Sequence, residues 1–172
     1  ARVGEAAAEK IIRDSAQIGT ALHLYIERLV NGEQYKDLTK IGIQAEKMAK
    51  KIVEEAFKDI TEIWGSEVHL YYPGKYAGTT DMIGVYKGRP TIIDFKQTNR
   101  PKKREWIQDY LMQLAAYAQA HNQLFNTEID QGVILMCSRD FTFQRFELLG
   151  ENFTRATDAF MKKLDLYNKT II

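Results

Sequence analysis

The chain has 172 residues, of which 45% are hydrophobic and 27% charged, and its net charge is +1. This length predicts about one domain with a substantial core, and the composition excludes a disordered, collagen-like or coiled-coil chain. No apolar run approaches the ~20 residues of a membrane-spanning helix, so we expect no membrane span. Because the net charge is close to zero, any attraction for nucleic acid must come from a local basic patch.

Cysteine and histidine usage narrows the class of protein further. Cys137 is the only cysteine, which makes an internal disulfide impossible and fits a reducing compartment. No secretory signal is visible, so an intracellular protein is expected. The three histidines lie too far apart for a zinc motif, and the chain has no phosphate-binding glycine loop and no nucleophile elbow.

The first part of the chain, 1–64, predicts three helices. Residues 5–14 are rich in Ala, Glu and Lys, and Ser15 is placed to cap a second helix that ends at Asn31-Gly32. A third helix is expected from Leu38 to Ile63, because apolar residues recur there at helical spacing.

The middle part, 65–148, predicts a sheet core, because apolar and polar residues alternate as in strands. The expected strands are Glu67–Tyr72, Tyr76–Tyr86, Thr91–Phe95, Gln131–Cys137 and Phe141–Leu148. A long helix over 105–124 interrupts them, and the C-terminal part, 149–172, carries a last helix over 151–168. This order predicts one mixed α/β (α+β) domain, 1–172, with helices around a central mixed sheet.

Two aspartates and a lysine stand in the segment from Gly78 to Thr98, which predicts a β-hairpin. If its turn is the two residues Lys87-Gly88, Asp81 faces Asp94; a four-residue turn places Asp81 opposite Lys96 instead. Asp94 and Lys96 share a face of their strand in either case, because side chains alternate with period two. We therefore expect the three side chains to converge on one patch.

This patch is a candidate site for a divalent cation. Two opposed carboxylates repel each other, and a cation relieves that repulsion more fully than a lysine does. Carboxylate oxygens suit Mg²⁺ or Mn²⁺ rather than zinc. Asp94 also interrupts an apolar run, where an aspartate costs solvation energy that a metal would offset. The alternative is a structural hairpin with an ordinary ion pair between aspartate and lysine.

Five short motifs follow one another between residues 15 and 137. They are Gly19-Thr20-Ala21-Leu22-His23, Glu67, Gly78-x-x-Asp81, Ile93-Asp94-Phe95-Lys96 and Gln113-x-x-x-Tyr117. In this order they resemble the PD-(D/E)XK nuclease superfamily, in particular its RecB-like branch and the phage and mitochondrial genome maintenance exonucleases. Thr80 replaces the proline after which the superfamily is named.

The resemblance implies a metal-dependent nuclease with a restriction-endonuclease-like core. The ligands that it implies for Mg²⁺ or Mn²⁺ are Asp81, Asp94, the backbone carbonyl of Phe95 and the imidazole of His23. Lys96 would position the attacking water, and Glu67 would touch a second metal or a bridging water. His69 shares a strand face with Glu67, but the motifs give it no role. For His23 the alternative is a partly buried structural histidine at the edge of an apolar helix face.

DNA is the substrate that the resemblance implies, as a single strand or a duplex end. The residues expected to contact it are Gln97, Thr98, Arg100, Lys102, Lys103, Arg104, Trp106, Gln113 and Tyr117. Phosphate contacts combined with an aromatic ring that stacks on a base are typical of single-strand binding. The alternatives are a merely solvated charge cluster and, for Gln113 and Tyr117, a hydrogen bond within the core.

We therefore expect an exonuclease that acts in DNA recombination, repair or maintenance, in the cytoplasm of a bacterium or phage-infected host rather than in the mitochondrial matrix. One alternative is a structure-specific or restriction-type endonuclease of the same superfamily. The other is a non-catalytic nucleic-acid-binding module, against which the intact set of Asp81, Asp94 and Lys96 argues.

Overall fold

The computed structural model describes residues 4–170, which form helices, strands and two short 3₁₀ turns. The helices are α1 (Glu5–Val30), α2 (Lys40–Ala56), α3 (Gln108–Phe125) and α4 (Gly150–Thr170). The strands are β1 (Ile60–Tyr72), β2 (Tyr76–Tyr86), β3 (Arg89–Thr98), β4 (Gly132–Ser138) and β5 (Phe143–Leu148). The expected mixed α/β fold with helices around a central sheet is confirmed.

The five strands form one sheet in the order in which they occur along the chain. β1 pairs with β2, and β2 with β3, both antiparallel. β4 runs parallel to β3, because Ile92 donates to the Gln131 carbonyl near the start of both strands and Arg139 donates to the Thr98 carbonyl near their ends. A tight turn then returns the chain into β5, with Ser138 donating to the Thr142 carbonyl. The sheet is therefore mixed. Its parallel neighbours, β3 and β4, are connected through α3, because parallel strands need a long crossover connection.

One long helix replaces the two that were expected before Asn31, so the prediction that Ser15 begins a new helix is wrong. Residues 5–30 contain no proline, and α1 continues through this position. The Ser15 hydroxyl donates to Asn99 Oδ1 at 3.2 Å and accepts from Arg139 at 3.3 Å. The polar side chain that looked like a cap is therefore used in tertiary hydrogen bonds.

The predicted third helix was too long at its C-terminal end. α2 begins after Thr39, whose hydroxyl accepts from the Gly42 backbone N–H at 3.0 Å, and it ends at Ala56. After one 3₁₀ turn the chain enters β1 at Ile60, which pairs with Tyr86 of β2. Helical spacing is a local signal, and here pairing with a distant strand overrides it.

The chain divides into two compact units. The helical unit comprises the described residues up to Lys58 together with Phe95–Pro101 and Met136–Gln144. The sheet unit comprises Asp59–Asp94, Lys102–Leu135 and the described residues from Arg145 onwards. Organisation as one domain stays a prediction.

Each unit has its own packing. In the helical unit α1 packs on α2, with Leu22, Ile26, Met48 and Ile52 fully buried. In the sheet unit α3 packs on β1 and β2, and α4 packs on α3. No helix within residues 4–170 is both long enough and apolar enough to cross a lipid bilayer.

Candidate metal centre and nucleic-acid interface

The turn between β2 and β3 sets which residues oppose each other in this hairpin. It consists of Lys87 and Gly88, both with positive φ (49° and 76°), as a type I′ turn requires. The pairing is regular from Tyr86 with Arg89 to Met82 with Ile93. The two-residue turn is thus confirmed and the four-residue alternative is excluded.

This register aligns three acidic residues across three neighbouring strands. One step beyond the pair of Met82 and Ile93, Asp81 of β2 lies opposite Asp94 of β3. On the other side, Ser66 pairs with Met82 and Val68 with Thr80, so Glu67 of β1 lies opposite Asp81. Carboxylate oxygens of Glu67 and Asp81 come within 4.8 Å of each other. We call Glu67, Asp81 and Asp94 the carboxylate row.

Burial increases along the carboxylate row from the edge of the sheet inwards. Glu67 is exposed, Asp81 is half-buried, and Asp94 is only 4% exposed. A buried carboxylate is costly unless a positive charge or hydrogen bonds compensate it. Lys96, half-buried, follows Asp94 by two residues and therefore shares its face of β3. The row is a set of hard oxygen donors, as Mg²⁺ and Mn²⁺ prefer.

The backbone of Glu67 is in an unusual conformation. Its φ is +50°, in the left-handed region that non-glycine residues rarely adopt in a strand. The register of β1 is also irregular just before it, between Ile63 and Gly65. Bulges and strained residues next to functional sites re-aim side chains. Nothing in the sequence marks this conformation, because neither the residue type nor its neighbours favour it.

The two further ligands implied by the resemblance lie in the helical unit. His23 is half-buried on α1, directly after the buried Leu22. Phe95 is buried on β3, and its ring stacks on Phe57 with the ring centroids 6.1 Å apart. The Phe95 side chain is thus a core residue, and a role for its backbone carbonyl stays a prediction, as does the role of His23.

Gln113 and Tyr117 form a pair on α3. The Gln113 amide donates to the Tyr117 hydroxyl at 3.0 Å, which was one of the two interpretations of this motif. Tyr117 lies against Gly78 of β2, where a Cβ atom would come within 2.8 Å of Tyr117 Cε1. Gly78 and Asp81 point to opposite faces of β2, because they are three residues apart in a regular strand. The pair therefore supports β2 from the face opposite to the carboxylate row.

Two residues that were expected to contact DNA make hydrogen bonds within the helical unit, and their role in DNA binding stays a prediction. The Gln97 amide donates to the Ser15 carbonyl at 3.0 Å. Thr98 is only 6% exposed, and its hydroxyl donates to the Arg100 carbonyl at 2.9 Å. These side chains fix the beginning of the basic loop, residues 99–104.

The end of the basic loop carries exposed cations and an exposed ring. Trp106 is 61% exposed, and the Lys103 ammonium lies 5.5 Å from its ring centroid. Arg104 is exposed and donates to the Glu147 carbonyl at 2.9 Å. Arg100 is exposed as well, whereas Lys102 is half-buried. Positive charge next to an open aromatic face suits a phosphate and its neighbouring base.

Comparisons with known proteins give a match in fold but none in sequence family. The crystal structure of a suspected exonuclease from Eubacterium rectale matches with a TM-score of 0.62 and 15% identity over 88% of this chain. This chain spans 66% of the length of that protein. The structure of SSO0001 matches with a TM-score of only 0.36, at 18% identity over 66% of this chain and 54% of that one. No family model and no curated protein matches the sequence.

Proposed function

We propose that this protein is a divalent-metal-dependent deoxyribonuclease that removes nucleotides from DNA ends. The observation that carries the proposal is the carboxylate row, with Lys96 two residues beyond its most buried member. Its motifs resemble those of the RecB-like branch of the PD-(D/E)XK superfamily, whose exonucleases serve DNA recombination, repair or maintenance. The likeness in fold to the suspected exonuclease supports a nuclease-like core.

The donor set of the site fits Mg²⁺ or Mn²⁺. Asp81 and Asp94 would hold the cation, the carbonyl of Phe95 and the imidazole of His23 would complete its ligands, and Glu67 would reach a second ion or a bridging water. When bound, the cation supplies a Lewis acid that activates water and offsets charge developing on the phosphate. Glu67 is exposed on the edge strand β1, which suits contact with an ion or water on the substrate side.

Lys96 supplies the fixed positive charge of the reaction. Its ammonium orients the attacking water and stabilises the negative charge that grows on the phosphate oxygens. The water oxygen bonds to phosphorus while the bond to the 3′ oxygen breaks, so the released nucleotide keeps a 5′-phosphate and the proton passes to the 3′ oxygen. Burial of Asp94 beside the reacting phosphate strengthens these charge interactions, because water is excluded there.

The basic loop and the neighbouring Trp106 hold the DNA strand in this proposal. Lys103 and Trp106 bind a phosphate and a base, and Arg100, Lys102 and Arg104 add phosphate contacts. Gln97 and Thr98 act through the loop, since their side chains are engaged with protein atoms.

Cleavage of end-labelled DNA tests the proposal. Single-stranded and double-stranded DNA, blocked at the 5′ or the 3′ end, is incubated with Mg²⁺, Mn²⁺ or a chelator. We expect the label to be released only with metal, and closed circular DNA to persist. Degradation of circles would favour an endonuclease, and DNA binding without cleavage in either metal would favour the non-catalytic module.

Two isosteric variants distinguish the loss of the metal site from a general effect of replacing aspartate by asparagine. Asp94→Asn removes a charged ligand from the carboxylate row, and we expect it to stop cleavage. Asp165→Asn makes the same change at an exposed position on α4 and should cleave like the unaltered protein. Equal activity of the two variants would rule out the proposed metal centre.

A further inference from the structure

The face of the sheet that bears the carboxylate row continues past it along the β1–β2 hairpin. The register pairs His69 with Thr79 and Tyr71 with Ala77, and these pairs are the next two on the same face. Successive pairs on one face lie ~6.8 Å apart along the strands. Together they form a strip that leads from the row to the turn at the end of the hairpin, all within the sheet unit.

The strip is open to solvent, unlike the opposite face of the same hairpin. Leu70, which lies between His69 and Tyr71 in sequence, is 2% exposed. His69 is exposed, Tyr71 is 54% exposed, and the small side chain of Ala77 beside it leaves the tyrosine ring uncovered. Packing of the core therefore gives no reason for an imidazole and an aromatic ring at these positions.

Polar contacts orient the strip. His69 Nδ1 lies 2.8 Å from Thr79 Oγ1, which fixes the ring and leaves Nε2 as the nitrogen that can meet a ligand. The strip thus offers a hydrogen-bonding imidazole followed by an open aromatic face.

We propose that His69 and Tyr71 form a subsite for the single-stranded end of a DNA substrate. Tyr71 stacks on a base, and the His69 imidazole donates from Nε2 to a backbone phosphate. A base must be unstacked from its partner strand to meet the tyrosine ring, which selects a single strand over an intact duplex. The inference rests on the proposed function, because it extends that site away from the carboxylate row.

Binding of a fluorescent oligothymidylate, measured by anisotropy with Ca²⁺ in place of Mg²⁺, tests the subsite. Tyr71→Ala should weaken binding ~5- to 100-fold, as loss of a stacked base does. His69→Ala should weaken it ~2- to 10-fold, as loss of one hydrogen bond does. Tyr167→Ala removes a similarly exposed tyrosine, 64% exposed on α4, and should bind like the unaltered protein.

Abasic oligonucleotides identify the stacked base directly. One nucleotide at a time is replaced by an abasic unit, and we expect one position at which the replacement weakens binding to the unaltered protein but not to Tyr71→Ala. If no position shows this dependence, or if Tyr71→Ala binds normally, the subsite is wrong.

The two proposals fail in different ways. Metal-dependent cleavage by the unaltered protein, with the same KM in Tyr71→Ala, would refute the subsite and leave the nuclease. Oligothymidylate binding that depends on Tyr71, without cleavage in Mg²⁺ or Mn²⁺, would support the subsite and refute the nuclease. A protein that neither binds nor cleaves DNA would overturn both.

Discussion

β3 carries two residues of opposite charge that are two positions apart. Asp94 is almost fully buried and Lys96 half-buried, on the same face of the strand. A merely structural ion pair would tolerate removal of its lysine with some loss of stability, whereas a lysine that acts on substrate would affect the rate of reaction. The two interpretations therefore predict different measurements for the same variant.

Lys96→Ala should lower the rate of DNA cleavage by ~10²-fold or more, because the positioned charge acts in the transition state. DNA affinity and the melting temperature should change little. Cleavage kinetics, anisotropy and thermal melting measure the three quantities, and Lys162→Ala, at an exposed position of α4, is the control. A normal cleavage rate in Lys96→Ala would remove this residue from the mechanism.

Two buried threonines in the same hairpin differ in their hydrogen bonds. Thr80 and Thr91 are both fully buried. The Thr91 hydroxyl donates to the Arg89 carbonyl and accepts from the Gln131 amide, both at 2.8 Å, whereas Thr80 Oγ1 has no hydrogen-bond partner within residues 4–170. Burial without a partner costs energy that a methyl group would not.

Thr80→Val should therefore keep or raise the free energy of unfolding, by up to about 1 kcal/mol, while Thr91→Val should lower it by roughly 1–2 kcal/mol. Urea unfolding of both variants checks the difference. Equal losses in the two would mean that the Thr80 hydroxyl has a hydrogen-bonding role after all.

At the scale of elements, local signals predicted pairing better than they predicted helix limits. The sequence predicted the hairpin and limited Asp81 to a position opposite Asp94 or opposite Lys96, and the two-residue turn in the structure decides for Asp94. The continuation of α1 past Ser15 and the entry into β1 at Ile60 depend on distant partners, which no local pattern reveals.

The same distinction holds within the candidate site. The positions of the acids follow from strand geometry, whereas the left-handed backbone of Glu67 and the hydrogen bond from Gln97 to α1 are set by tertiary structure. Spacing on α3 predicted that Gln113 and Tyr117 are neighbours, but the face of the sheet that they cover depends on how α3 packs.

The packing of α3 on β2 depends on the absence of a side chain at Gly78. Gly78→Ala would place Cβ 2.8 Å from the Tyr117 ring, so the helix or the ring must shift. We expect a loss of about 1–3 kcal/mol in the free energy of unfolding. Gly19→Ala in α1, where Cβ would lie 3.7 Å from Gln97 Cγ, should instead stabilise by up to about 1 kcal/mol. Equal effects in chemical denaturation would contradict the packing argument.

At the scale of the whole molecule, polar contacts connect the last strand to the first half of the sheet unit. Glu147 of β5 accepts from the Tyr86 hydroxyl at 2.9 Å and pairs with Lys87. Arg145 of the same strand binds Asp59 at 2.7 Å. These contacts join residues about 60 to 86 positions apart in sequence, so their loss should be felt in global unfolding.

Acid should weaken this connection. Burial raises the pKa of the Glu147 carboxyl, but hydrogen bonds from Lys87 and Tyr86 and the positive charges of Lys87 and Arg145 together lower it by more, so its pKa lies below the ordinary value of 4.5. A lowered pKa in the folded state means that the contribution to stability is complete above pH 4.5 and is lost as the pH falls through the folded value.

Thermal melting as a function of pH measures this contribution. Glu147→Gln should lower the melting temperature at neutral pH and reduce its dependence on acid, because the titrating carboxylate is absent. Glu151→Gln, whose ion pair with Arg155 is largely exposed, should leave the pH profile unchanged. Parallel profiles for all three proteins would show that Glu147 does not contribute through its charge.

Glycine is the residue best suited to the backbone at position 67, where φ is +50°. Glu67→Gly should therefore raise the free energy of unfolding by about 1 kcal/mol, while removing a carboxylate that the proposed chemistry uses. Conformational stability and the proposed activity therefore favour different residues at position 67. If Glu67 acts as proposed, relaxing the strained backbone at this position would give a more stable protein with less nuclease activity.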